Sequence, residues 1–217
     1  MIYTIDGSNR QQHHALLDAM YRLRAQVFRD RLQWEVTVEN GRERDVFDDA
    51  DPLYLLSCDE TSGRLQGAVR LLATTGPNML RDVFPVLLPD KRVVESATIW
   101  ESSRFCINPS LHADANGTVN RVTSELLCGL VEVGLRLGLH AIVSVYDARM
   151  ARIFRAADCP AHVIGPAQRI GGVMTYAGLF DISPAMRERI ARRGGIERPA
   201  VLKEPAFLPP RRAAAKG

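Results

Sequence analysis

Charged side chains set inside apolar stretches are the residues of this chain that could do chemistry. The segment Thr98-Ile-Trp-Glu-Ser-Ser-Arg-Phe-Cys-Ile107 has the β-branched and aromatic content of a strand, yet Glu101 and Arg104 stand in its middle. A strand flanked by helical patterns is covered on both faces and should be nearly all apolar. An unpaired buried charge is too costly to keep, so each of these groups needs a partner or a ligand. Arg24, in a helical stretch, and Arg70, within Gly67-Ala-Val-Arg-Leu-Leu, lie in similar surroundings, and Asp45 and Asp48 offer counter-charges. A carboxylate so placed can take a proton, and an arginine fork can grip a carboxylate. The other meaning of the same residues is a structural ion-pair network that pins the N-terminal segment to the sheet.

Positions 101 and 104 of a regular strand point to opposite faces. Either they serve different neighbours, or a bulge between them turns both toward one pocket. Bulges concentrate beside active sites, and an irregular strand is expected here.

The surrounding elements follow from periodicity. Residues 2–6 alternate as a strand, and residues 10–30 read as one helix with Leu16, Leu17, Met20, Leu23, Val27 and Phe28 on its inner stripe. Arg24 and Phe28, four apart, share a helical face. Residues 31–51, with Trp34 and the acidic set Asp45, Asp48, Asp49 and Asp51, read as a long irregular segment, a length that tends to be functional. Strands are expected at 52–58 and 65–73, joined as a hairpin, with a helical turn at 79–84 and the strand 98–107 after it. Residues 111–117 read as a loop and 119–137 as the clearest helix. A strand at 139–146 leads to Asp147 as N-cap of a helix through Ala157. The last strands are expected at 161–165 and 172–182. One domain over residues 1–200 is expected, with 201–217 a loosely ordered tail.

This order fits an α/β fold, a three-layer α-β-α sandwich with a mixed central sheet, and resembles the acetyltransferase (GNAT)-like fold. No G-x-G-x-x-G follows a strand and no G-x-x-x-x-G-K-[ST] loop occurs, so a nucleotide fold of either type is not indicated. A net charge of +3 without basic runs argues against nucleic acid. The four cysteines make no metal-ligand spacing with the histidines. No signal peptide and no apolar run near the ~20 residues of a membrane span is seen, so a reducing cytoplasm is the expected location.

The residues that carry charge or aromatic surface also carry a resemblance. Arg24-x-x-x-Phe28, Trp34, Asp45-x-x-Asp48, Arg70 in G-x-x-R-L, Phe84 and Glu101-Ser-Ser-Arg104-Phe stand in the order and spacing of the LuxI-type acyl-homoserine lactone synthases, the quorum-sensing autoinducer synthases. The resemblance implies an enzyme that joins the amine of S-adenosylmethionine to an acyl group from a thioester. Lactonisation then releases N-acyl-L-homoserine lactone and methylthioadenosine. Both molecules are substrates, and neither a metal nor a redox cofactor is expected.

Within that resemblance Glu101 is the candidate base, and backbone N–H groups near Ser103 are candidates to hold the oxyanion. Arg24, Phe28, Trp34, Asp45, Asp48 and Arg104 are the candidate S-adenosylmethionine contacts, with Arg70 and Phe84 in support. Trp100, Phe105, Ser144, Tyr146, Met150 and Ile153 are candidates for the acyl pocket, where Tyr146 argues for a short or branched acyl group. Ordinary core packing is the competing account of Phe28 and of the pocket set. An acyl-acyl carrier protein is the favoured donor, since the Gln/Arg-x-x-Gly-x-Gly/Ala loop that grips coenzyme A is missing before the 119–137 helix. Arg149, Arg152 and Arg155 form a ridge that could meet an acidic carrier. Acyl-coenzyme A stays open as donor. A coenzyme A-dependent N-acyltransferase with another amine acceptor, and a non-catalytic S-adenosylmethionine-binding module, are the alternatives in function.

Overall fold

The computed structural model describes residues 1–89, 93–111 and 119–201. The strand that carries the charges is β6 (Ile99–Ile107), and it runs through the middle of the main sheet. On one side stand β5 (Leu65–Ala73), β4 (Leu53–Cys58) and β1 (Ile2–Ile5), each antiparallel to its neighbour. On the other side β7 (Ala141–Asp147) runs parallel to β6. Beyond it come β10 (Val173–Asp181) and the short β8 (His162–Val163), both antiparallel. The parallel pair follows from chain connection, because α3 (Arg121–Arg136) crosses over between β6 and β7 and such a crossover is what joins parallel neighbours.

Helices cover both faces. On one face α1 (His14–Arg24) buries Leu17, Met20 and Leu23 against Tyr54, Leu56, Ala68 and Cys106 of the sheet. The short α2 (Met79–Asp82) sits on the same face and brings Leu80 against Val143. On the other face α3 packs Leu126, Leu127, Leu130 and Val131 into the largest core, together with α4 (Ala148–Ala156) and α5 (Pro184–Gly194). Each such leucine contributes about 1.5–3 kcal/mol by leaving water. Gly129 lets α3 lie close to the sheet, since a Cβ there would meet Ile2 Cδ1 at 2.6 Å. The three-layer α-β-α sandwich with a mixed sheet is what forms.

Several local expectations are corrected. The stretch 10–30 is not one helix: residues 10–13 are a 3₁₀ turn, α1 follows, and Ala25–Arg31 winds more widely as a π-helix. Residues 31–51 are irregular only in part. They contain the hairpin of β2 (Val38–Glu39) and β3 (Arg42–Glu43), turned by Asn40-Gly41 with φ of 50° and 76°, and a 3₁₀ turn over Val46–Asp49. Asn-Gly between paired residues is a strong hairpin signal, and the acidic run around it obscured the pattern. A strand β9 (Gln168–Ile170), joined to β10 through Gly171-Gly172, and the whole of α5 were also missed. Ser183 caps α5 by accepting from Met186 N at 3.1 Å, Pro184 opens it, and Gly195 closes it in the left-handed region. Asp147 does cap α4, accepting from Met150 N at 2.7 Å. The loop expected at 111–117 falls, after Leu111, outside the described residues. So does the expected tail after Val201, which itself bridges Ile2.

Candidate active site

β6 carries the expected bulge. Arg70 stands opposite Ser103 and Ala68 opposite Cys106, so β6 has one residue more than β5 between those rungs. Arg104 takes up the difference with φ of 53°, a left-handed conformation that costs an L-residue roughly 1–2 kcal/mol. The extra residue shifts the alternation, so that Ser103 and Arg104 both reach the α1/α2 face, where Glu101 also lies. Phe105 and Ile107 fall to the α3 face.

Three guanidinium groups and three carboxylates meet there. Arg24 donates from Nε to Glu43 at 2.5 Å and forks both Nη atoms onto Asp48 at 2.8 and 3.0 Å. Arg70 reaches Asp48 at 2.9 Å, Asp45 at 2.5 and 3.0 Å, and the Ser103 hydroxyl at 3.0 Å. Arg104 donates to Glu43 at 3.1 and 3.2 Å and pairs with Asp45 at 2.6 Å. Tyr54 adds a hydroxyl to Asp48 at 2.6 Å. Burial opposes the charge of Asp48, but the guanidinium groups of Arg24 and Arg70 and the Tyr54 hydroxyl outweigh it and hold its pKa well below the usual carboxylate range. The backbone helps, because Asp45 and Asp48 cap the 3₁₀ turn reciprocally and are thereby aimed inward.

Glu101 stands apart from this network. It is fully buried, and among the described residues no arginine donates to it. Glu101 does not pair with Arg104, because the bulge turns Arg104 toward Glu43 and Asp45. Glu101 Oε2 accepts from Leu80 N at 3.3 Å at the start of α2, while Oε1 is buried with no partner among the described residues. Burial pushes its pKa up to about 7, against the pull of the Leu80 and Met79 N–H groups.

The site's open side is aromatic. The helix end folds Trp34 back, with Gln33 in the left-handed region at φ 56° and Trp34 N bonded to Phe28 O at 2.8 Å. The Trp34 ring stacks on Phe28 at 5.2 Å, and Arg104 lies over the Phe28 ring at 5.5 Å. Trp34 is 42% exposed, and Asp45 and Arg104 keep 18% and 10% of their side-chain surface. Arg24, Phe28 and Asp48 have almost none. Arg24 and Asp48 are taken up by the ion pairs, and Phe28 lies beneath the Trp34 ring and the Arg104 guanidinium. Ser103 likewise turns its hydroxyl to Arg70. Phe84 packs with Leu80 and Val143, steadying α2 and not the ion pairs.

On the α3 face Ser144 and Tyr146 lie in or against the large core with Trp100, Phe105 and Met150. Ile153 does not join them; Phe154, four residues after Met150, takes the inward position on α4. Arg149, Arg152 and Arg155 are exposed along α4. Glu43, Tyr54 and Met79 were missed by sequence reasoning. Glu43 follows Asn40-Gly41 in the overlooked hairpin, whereas nothing in the spacing marks Met79, whose Sδ accepts from Arg70 and Arg104, both at 3.4 Å.

Residues 8–190 match the model of the autoinducer synthase family. An acyl-homoserine-lactone synthase of Rhizobium etli is 41% identical over 168 residues, 76% of this chain and 77% of that protein. The solved structure of BjaI, a CoA-dependent acyl-homoserine lactone synthase with SAM and isopentyl-CoA, superposes with a TM-score of 0.85 at 26% identity, covering 96% of this chain and 95% of that one. A putative N-acetyltransferase from Lactobacillus plantarum, 14% identical with a TM-score of 0.54 over 84% of this chain and 99% of its own, shares the fold alone. Fold, family match and curated relative agree: this chain belongs to the autoinducer synthases, the family of acyl-homoserine lactone synthases.

Proposed function

We propose that this protein acylates S-adenosylmethionine and closes the product to an N-acyl-L-homoserine lactone, with Glu101 as the base. The observation that carries the reading is Glu101 itself: a buried carboxylate with one unpartnered oxygen and a pKa near 7, beside an arginine-carboxylate network. A general base is most effective when its pKa lies near the working pH. The ammonium of the substrate gives its proton to Glu101, directly or through one water. The freed nitrogen pair attacks the thioester carbon, the carbonyl electrons move to oxygen, and collapse breaks the C–S bond. Nitrogen gives up a second proton as the amide forms; one of the two protons leaves on the thiolate as thiol, and the other passes to solvent. The substrate carboxylate then attacks its own γ-carbon and breaks the bond to the sulfonium sulfur, which leaves as the neutral thioether of methylthioadenosine. That step is intramolecular and needs mainly a folded-back conformation.

Arg104 is assigned to the substrate carboxylate and Asp45 to the ammonium, since these network members keep surface. Trp34 is assigned to the adenine or the sulfonium. Trp34→Ala is expected to weaken S-adenosylmethionine binding about 2- to 30-fold, the range of a cation–π contact. Isothermal titration would show it, and unchanged affinity would take Trp34 out of the site. The reaction as proposed uses no resident metal or redox cofactor, and a cytoplasmic location suits both substrates; among the described residues no helix is long and apolar enough to cross a membrane.

For the donor, the exposed row Arg149, Arg152 and Arg155 supports an acyl-acyl carrier protein. The likeness to CoA-dependent BjaI supports acyl-coenzyme A as the second reading. Reversing all three charges to glutamate is expected to raise KM for the carrier protein at least tenfold and to leave kcat unchanged. An equal rise with acyl-coenzyme A would instead place the coenzyme's phosphates on this ridge. The function itself is tested by supplying S-adenosylmethionine with both donor types and following products by mass spectrometry. Equal release of lactone and methylthioadenosine is expected; acylation without methylthioadenosine would mean a plain N-acyltransferase.

A further inference from the structure

Two buried polar side chains, Asn78 and Thr74, stand outside the ion-pair network, where β5 ends and α2 begins. The amide of Asn78 is engaged at both ends. Its Oδ1 accepts from Arg81 N at 3.0 Å, which caps α2, and its Nδ2 donates to Gly76 O at 3.0 Å and Thr74 O at 3.4 Å. Asp82 returns the cap by accepting from Asn78 N at 3.0 Å. Thr74 carries the tie across to β6, with its hydroxyl 2.6 Å from Ile99 O and accepting from Ser96 N at 3.0 Å. Ile99 comes two residues before Glu101. This knot therefore joins the start of the strand that carries the base to the turn that faces it.

What the turn brings to Glu101 is backbone. Leu80 N donates to Oε2 at 3.3 Å, and the Met79 N–H draws on the same carboxylate. Both N–H groups belong to the first residues of a helix, which have no partner within it. A single helical turn does not hold its shape by its own hydrogen bonds. The place of these donors thus depends on the Asn78 cap and on Leu80 packed with Val143.

We propose that Asn78 is a positioning residue for the acyl transfer: it sets the turn that holds Oε2 of Glu101 and so leaves Oε1 placed to take the substrate proton. The proposal rests on the synthase reading above, with Glu101 as base. The charged groups around Glu101 are Arg70 of β5, which favours its ionised form, and Asp82 of α2, which opposes it. Arg104, on the same strand, is taken by Glu43 and Asp45. Leu72 of β5 and Val143 of β7, opposite Glu101 in the sheet, carry no charge. Arg70 and Asp82 do not titrate near neutrality. Burial opposes the charge of Arg70, but Asp45 and Asp48 outweigh it and raise its pKa, and the Arg81 guanidinium holds Asp82 below its ordinary value. A moved pH profile therefore reports on Glu101 and its donors.

The experiment measures kcat and its pH profile by methylthioadenosine release for Asn78→Ala and Asn78→Ser, each alone and combined with Glu101→Gln. Titration calorimetry follows S-adenosylmethionine binding. Because a displacement of about 1 Å can cost about 100-fold in rate, Asn78→Ala is expected to lower kcat about 10- to 100-fold and to leave nucleotide affinity within about threefold. Weaker donors favour the protonated acid, so the rising limb of the profile should move up by about 1 pH unit. Serine keeps an oxygen for Arg81 N and is a good cap, but drops the tie to Gly76 and Thr74. Asn78→Ser should fold and fall between wild type and alanine. With Glu101→Gln there is no base to place, and either substitution should then change kcat by less than about threefold. Equal losses with and without Glu101, or a limb that stays where it is, would give Asn78 a role in the fold alone and overturn the proposal. So does wild-type kcat in Asn78→Ala, or loss of nucleotide binding in both Asn78 variants. If wild type yields no lactone the synthase reading fails, and if Glu101→Gln keeps full turnover the base fails; the positioning role falls with either. Lactone from wild type, a slow Glu101→Gln and an unaffected Asn78→Ala sink the positioning role alone.

Discussion

Replacing Glu101 with glutamine is expected to leave a folded protein that still binds S-adenosylmethionine but turns over about 100- to 10,000-fold more slowly, the usual worth of a positioned base. The amide keeps the size of the side chain and can still accept from Leu80 N, but it takes no proton. Methylthioadenosine release gives kcat and titration calorimetry gives binding; wild-type turnover would remove Glu101 from the chemistry. The pH profile carries the same information. A base must be deprotonated, so wild-type activity at saturating donor should rise through pH about 7 and level above it.

Stability should move the opposite way. The folded-state pKa of Glu101 lies above its ordinary 4.5, so between pH 4.5 and about 7 the folded protein holds a proton that the unfolded chain has lost. Stability therefore falls as pH rises through that window. At about 1.4 kcal/mol per pKa unit, the ionised carboxylate costs on the order of 3 kcal/mol above pH 7. Glu101→Gln removes this dependence, and denaturant melts at pH 5 and pH 8 should differ less for the variant than for wild type. A residue that gains activity and loses stability over one pH interval is acting as a strained, working group.

The second large effect belongs to Arg24, and it is one of stability. Arg24→Met is expected to cost about 3–5 kcal/mol, the penalty for leaving buried charges short of a partner. For a chain of this size that lowers Tm by about 6–20 °C. Asp48 keeps Arg70 and Tyr54, but Glu43 is left, among the described residues, with Arg104 as its one guanidinium partner. Because the folded-state pKa of Asp48 is depressed, its contribution is present above its ordinary 3.8 and is lost as pH falls below that value. The gap between wild type and variant should thus be widest near neutrality and narrow in acid. Combining Arg24→Met with Glu43→Gln should recover part of the loss, since one stranded charge is gone. A Tm within 2 °C of wild type would show that Arg24 is dispensable to the network (about 0.5–1 kcal/mol at this size).

The two residues differ in what surrounds them. Each of the three guanidinium nitrogens of Arg24 donates to a carboxylate, whereas Glu101 has one oxygen unmatched among the described residues. A satisfied buried charge holds structure together, and an unsatisfied one is available for a substrate. Residue type does not separate these cases, since both are charges in apolar segments.

Much of the fold could be read from local pattern. Strand periodicity marked β4, β5, β6 and β7, and the apolar stripe marked α3, because each of these buries a face whose repeat is written in the chain. The charged residues in apolar segments were also evident, and their order carried the family. Short-range signals were present but passed over at Asn40-Gly41 and at Ser183-Pro184, where charge-rich surroundings hid a hairpin and a helix.

Local pattern could not say which charges would meet. The bulge at Arg104 depends on how β6 pairs with β5, and it decides that Arg104 joins Glu43 and Asp45 in place of Glu101. Burial of Arg24 and Asp48, exposure of Trp34 and Asp45, and the inward place of Phe154 depend on packing between segments far apart in the chain. So does the pKa of Glu101, which is set mainly by burial. The chain by itself determined its family, its layers and the cast of ionisable groups, because these follow from residue type and spacing. Only the tertiary structure decided which buried charge is fully paired and which keeps an unmatched oxygen, because that depends on who is within 3 Å of whom after folding.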